Sequence, residues 1–260
     1  MTNQPFRPFI SISVILSFGL LLNGTPPGQA RPARNGSEHP QASMAFEPPP
    51  GQGMPSRTAA GGSRGTCPNA EQLGENLTAL VPNLIRSEEI GPDLRGYTVE
   101  PKPVFYFYLP AAAGVEATFS LKDEDGSDVY QMSVPVPNQP GIVGVKLPED
   151  APALEMGKTY RWSFGMVCQS ADAENVPEVV FVSGDIRRIE PDGTLAAQLT
   201  GANPVERAAL YARHGIWFES LATLAALRQA RPEDATLASR WEELLNSVGL
   251  DAIATQPFAE

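Results

Sequence analysis

Thiols and imidazoles are the side chains that most readily serve as nucleophiles, general bases and metal ligands, and this chain has two of each. Cys67 and Cys168 belong to no CxxC pair and have no histidine nearby, so neither a Cys–His nucleophile nor a clustered metal site is encoded. His39 falls in a proline-rich stretch. His214 precedes Gly215 at an expected helix end, where the dipole favours a cation, so it reads as a cap. The motifs HExxH, GxxxxGK[ST] and GxGxxG are absent, and no cofactor is implied. Thirty acidic residues leave paired-carboxylate glycoside hydrolysis as the one chemistry open to the composition. Acids alone are no signature, so a non-enzyme is expected.

The elements that must position any site begin beyond an N-terminal export pattern. Arg7, an apolar run from Phe9 to Leu22, and the small residues Gly28-Gln29-Ala30 make residues 1–30 a signal peptide. Nothing after Arg31 is long and apolar enough to span a bilayer, so the expected location is exported, periplasmic or extracellular. Residues 31–66 are dense in Pro, Gly, Ser and Arg, which predicts a disordered tether with polyproline character at Pro48-Pro49-Pro50. With Arg7 and the tether's four arginines and two glutamates set aside, fourteen basic and twenty-eight acidic residues remain in 67–260, net -14 against -11 for the whole chain. Such an acidic body is a poor match for nucleic acid or an anionic membrane surface. In an exported chain the pair Cys67 and Cys168 is expected to form one disulfide, worth about 4–5 kcal/mol in the chain-entropy model.

From 97 to 190 the texture is β, with strands expected near 97–100, 104–109, 115–121, 128–134, 142–147, 159–168 and 178–188. Asp125-Gly126 marks a hairpin in an acidic loop that lacks calcium-loop spacing and reads as a solvated turn. Leu154-Glu155-Met156-Gly157-Lys158-Thr159-Tyr160 resembles the corner before the penultimate strand of fibronectin type III domains, in which the tyrosine hydroxyl bonds back to the backbone. The expected fold of 67–200 is an immunoglobulin- or fibronectin-III-like antiparallel β-sandwich.

At Asn203-Pro204-Val205-Glu206 a helix start is written as N-cap, first-turn proline and third-position glutamate. Helices are expected from there to His214-Gly215, over about 217–229, and from Asp234 to Gly249. Counted from Gly201, Ala208, Tyr211, Gly215, Ser220, Leu224 and Pro232 resemble one tetratricopeptide-type unit. This places a three-helix subdomain over 201–260, packed on the sandwich.

The runs Leu77–Pro82, Val104–Pro110, Pro140–Ile142, Leu154–Lys158, Tyr160–Trp162 and Gly215–Leu224 also resemble, in order, a cyanobacterial family of exported proteins, domain of unknown function 928. The resemblance implies export from a Gram-negative-type cell and brings no activity. Three functional readings follow. The first is a non-catalytic interaction or envelope-associated protein, with an unknown protein as partner and the helical tail, including Trp217 and Phe218, as docking face. The second is a carbohydrate-binding module for an envelope polysaccharide, stacking sugars on rings such as Tyr106, Tyr108 and Trp162. The third is a carboxylate-dependent hydrolase, which needs an aromatic-lined cleft with two acids about 5–10 Å apart.

Overall fold

The structure, a computed structural model, describes residues 43–50, 54–55, 77–85, 95–110, 116–168 and 178–259. The expected signal peptide and Cys67 lie outside them. Among the described residues the strands are β1 (Met54–Pro55), β2 (Thr78–Ala79), β3 (Leu84–Ile85), β4 (Arg95–Thr98), β5 (Val104–Leu109), β6 (Glu116–Lys122), β7 (Asp128–Val134), β8 (Gly141–Lys146), β9 (Thr159–Cys168) and β10 (Glu178–Arg188). The helices are α1 (Gly193–Leu199), α2 (Pro204–Arg213), α3 (Trp217–Ala230), α4 (Ala235–Asn246) and α5 (Asp251–Ala254). A five-stranded sheet runs β4-β10-β9-β6-β7, a three-stranded sheet runs β2-β5-β8, and β1 pairs with β3.

The two larger sheets face each other, giving a sandwich-like body of mixed β and α. Alternation along VFYFYL sends Phe105 and Phe107 inward. There Phe107 stacks on Phe164 at 4.4 Å between centroids and meets Trp162 at 5.8 Å, while Phe105 meets Phe119 at 4.8 Å. Tyr106 and Tyr108 point the other way and are buried too, so β5 is covered on both faces. Continuous apolar character, rather than clean alternation, is what such a strand requires.

One pairing departs from the antiparallel expectation. β4 runs parallel to β10, with Asp185 opposite Arg95 and Arg188 opposite Thr98. The partners are 90 residues apart in sequence, and such a pairing leaves no turn signal. Its position fills the open edge of β10.

The corner at Leu154–Tyr160 has the geometry its residues announce. Leu154 is buried, Gly157 has φ +81°, and the Glu155 N–H donates to Tyr160 Oη at 3.1 Å. Asp123 Oδ1 accepts the amides of Asp125 and Ser127, which closes the acidic loop as a turn around Gly126 at φ +81°.

The helices also follow their local signals. Asn203 Oδ1 accepts the Glu206 N–H at 3.0 Å and Glu206 Oε2 accepts the Asn203 N–H at 3.0 Å, a complete capping box for α2. Gly215 ends the turn after α2 at φ +70°. Asp234 caps α4. Helix α1 escapes the sequence reading because seven residues with one buried side chain, Leu195, carry no period. The helical region therefore starts at Gly193 rather than at 201.

The helices join the sheets through three neighbouring residues of α3. Trp217 Nε1 donates to Leu80 O at 2.8 Å, and the Phe218 ring packs on Phe105 at 5.3 Å. Glu219 Oε1 accepts from Thr98 Oγ1 at 2.5 Å. Gly96 on β4 makes room for this seam, since a Cβ there would lie 2.7 Å from the Phe218 ring. One continuous apolar core therefore spans both sheets and α2–α5.

Candidate functional site

The aromatic rows expected to meet a sugar are core. Tyr108, Trp162 and Trp217 are 0% exposed, Phe218 2% and Tyr106 7%. A ring with both faces covered cannot stack on a carbohydrate, so the structure withdraws these residues as a stacking platform. Tyr106 lies against Gly144, its partner across β8, where a Cβ would come within 3.0 Å of the ring. The same burial removes Trp217 and Phe218 as an exposed docking face. Amphipathic spacing reveals that a residue faces something, and here the something is the rest of the chain.

The acids do not gather in an aromatic cleft among the described residues. One groove of about 500 Å³, between β7 and β8, is lined by Met132, Val134, Val143 and Val145 and contains no carboxylate. Around the acidic turn, Asp185 pairs with Arg161 at 3.1 Å, Asp128 pairs with Lys122 at 2.8 Å, and Glu124 accepts the Thr159 N–H. No cluster of three or more potential metal ligands occurs among the described residues.

Glu219 is the one acid buried among the described residues. It occupies the first turn of α3, and Oε1 also accepts the Glu100 N–H at 3.3 Å. Oε2 has no hydrogen-bond partner among the described residues. Burial pushes its pKa up to about 7 against the opposing pull of the Thr98 hydroxyl.

A second feature lies where a disordered tether was expected. Residues 43–50 run along the helices without forming helix or strand, with Met44 completely buried and Phe46 at 6% exposure. The prediction of disorder for this stretch is thus corrected, as it is for Met54–Pro55, which pair with β3. Mean composition hid the reason: two large apolar residues two positions apart share one face of an extended chain, and that face is buried. The rest of the expected tether lies outside the described residues.

The segment crosses the C-terminal ends of α2 and α4, where helix carbonyls and cap side chains seek donors. The Met44 N–H donates to Glu243 Oε1 at 3.0 Å and the Ser43 hydroxyl to the same oxygen at 2.9 Å. The Phe46 N–H donates to Ser247 Oγ at 2.9 Å, and the Glu47 N–H to Ala212 O at 3.0 Å. Beneath it the Phe46 ring stands edge-on to Trp217, 5.2 Å between centroids and 88° between planes. Pro49 and the Glu47 carbonyl lie over Gly215, where a Cβ would meet the proline ring at 2.5 Å.

Glu243 is set for this work by its neighbours. Arg240 Nη1 holds Oε2 at 2.8 Å and leaves Oε1 for the segment. Burial raises its pKa, but the Met44 amide, the Ser43 hydroxyl and Arg240 together bring it below the ordinary carboxylate value. The groove therefore combines a fixed acceptor, a hydroxyl, a helix-end carbonyl and an aromatic floor. Backbone donors and alternate side chains are how extended peptides are bound.

No curated protein matches the chain. A family model matches residues 59–258, so the groove residues Ala212, Gly215, Trp217, Glu243 and Ser247 lie inside the shared region and Ser43–Pro50 outside it. By that match over most of its length, the chain belongs to the family of the domain of unknown function DUF928.

Proposed function

We propose that this is an exported, non-catalytic protein-interaction module of the cell envelope, with the helical layer as its docking face and the sandwich as platform. The observation that carries the reading is the groove over α2 and α4, which takes the segment Ser43–Pro50 through four hydrogen bonds and two buried side chains. Export to the periplasm or beyond rests on the Arg7, Phe9–Leu22 and Ala30 pattern, and a cyanobacterial source rests on the family resemblance. The finer architecture belongs to the same reading. The tyrosine corner supports a fibronectin-III-like sandwich. The hairpin of α2 and α3, closed where Ser220 Oγ donates to Ala208 O at 2.9 Å, supports a tetratricopeptide-like unit.

Photo-crosslinkers placed in the exporting cell at exposed Arg213 and Glu242, beside the groove, and at exposed Gln131 on β7 test the reading. A defined envelope protein should crosslink from Arg213 and Glu242 but not Gln131, and a synthetic peptide of residues 42–50 should compete it away. Equal crosslinking from all three positions, or indifference to the peptide, would overturn it.

A further inference from the structure

The groove and its occupant are separable in their hydrogen bonds and in where the family match falls, although Met44 and Phe46 are buried in the shared core. Ser43, Met44 and Phe46 make their hydrogen bonds to residues 199–201 positions away. The Glu47 amide reaches Ala212. Among the described residues only the Ala45 N–H turns back locally, to Ser43 Oγ at 3.2 Å. The groove, by contrast, is held by its own contacts. Arg240 positions Glu243, Ser247 Oγ donates to Leu244 O at 2.7 Å, and Trp217 is fixed by Leu80 O. The family match divides the two in the same place, with the groove inside it and the segment before it.

We propose that this groove is a recognition site for a partner's extended peptide, and that Ser43–Pro50 is a displaceable internal ligand that keeps it closed. The inference rests on the docking reading above and adds its regulation and the chemistry of the partner. The chemistry follows from the contacts. The partner segment carries two large apolar side chains at alternate positions, the second of them aromatic to meet Trp217 edge-on. It offers free backbone N–H groups at both positions and at the next residue, matching the acceptors Glu243 Oε1, Ser247 Oγ and Ala212 O. Proline is excluded from those positions and tolerated after them, where Pro48-Pro49-Pro50 stand here.

A tethered competitor of ~10 µM intrinsic Kd at ~1 mM effective concentration weakens an outside ligand about 100-fold. A fluorescent peptide of residues 42–50 is therefore expected to bind the full-length Met44→Ser/Phe46→Ser variant about 100-fold more tightly than the unaltered chain. The same peptide with its own two apolar residues replaced by serine should bind neither. Equal binding to both proteins would remove the internal-ligand role and leave the docking reading standing. Absence of binding to a folded variant would remove both. Concentration-dependent dimerisation of the unaltered chain that the peptide reverses would assign the groove to a second copy instead. A measurement without substitution guards against a variant that fails to fold. In the unaltered chain the amides of Met44, Phe46 and Glu47 should exchange with deuterium at least tenfold faster than those of Trp162 and Phe164 in β9. Equal rates would make the segment part of the cooperative core and overturn the proposal.

Discussion

Thr98 at the end of β4 donates its hydroxyl to the Glu219 carboxylate in the first turn of α3, joining sheet and helix through a buried acid. The carboxylate accepts no bond on Oε2 from the described residues, and burial is the largest influence on it. Its pKa rises from 4.5 to about 7 in the folded chain. The folded state thus favours the protonated form. That contribution is complete below pH 4.5 and is lost as the pH climbs through about 7.

The loss amounts to as much as about 3 kcal/mol. Glu219→Gln, which keeps an acceptor for Thr98 without a charge, should be more stable than the native chain at pH 8 by ~1–3 kcal/mol. The two should converge near pH 4.5. Urea midpoints at both pH values check this, and a constant difference between the proteins would show that Glu219 does not titrate in that range.

The tyrosine corner offers a test of turn chemistry. Tyr160→Phe leaves the Glu155 N–H without its acceptor and should lower stability by about 1 kcal/mol. Gly157→Ala meets no atom within 4 Å but forces alanine to φ +81°, which costs about 1 kcal/mol by strain alone. Thermal midpoints of the two single variants and the double variant should show less than additive loss, because both act on the same turn.

Two glycines after helix ends separate strain from contact. Gly201 and Gly215 have φ +83° and +70°, so alanine at either should cost about 1 kcal/mol of global stability. Only at Gly215 does the added Cβ run into Pro49. Gly215→Ala should therefore also speed exchange of the Met44 and Phe46 amides, whereas Gly201→Ala should not. Mass-spectrometric exchange on both variants decides the matter.

Much of the architecture was legible because its causes are local. Strands Val104–Leu109, Asp128–Val134, Thr159–Cys168 and Glu178–Arg188 fall where alternation and turn residues place them. The capping box at Asn203 and Glu206 is a four-residue device and is complete. The short strands Thr78–Ala79 and Leu84–Ile85 were not legible. Two residues hold no period, and they are strands only because β5 and β1 pair with them.

The candidate site was less legible than the fold, for a physical reason that Met44 and Trp217 make plain. Tyr106, Tyr108, Trp162, Trp217 and Phe218 read equally well as binding surface or as core, since the hydrophobic effect drives a ring out of water without specifying what covers it. In the other direction, Met44 and Phe46 sit in a stretch whose average polarity predicts no ordered structure. Two anchors and four hydrogen bonds to distant groups suffice when the receiving surface is already built.

By itself the sequence determined the β-then-α order, most strand and helix bounds, the caps, the corner turn and the acidic charge, all of which depend on neighbours within a few residues. Tertiary structure alone decided that β4 runs parallel to β10, that Glu219 is buried against Thr98, and that Ser43–Pro50 fills the groove over α2 and α4. Each of these joins residues 90 to 201 positions apart. Over such separations the partner is selected by shape and by unsatisfied donors and acceptors on the assembled surface, and no local pattern in the chain records that choice.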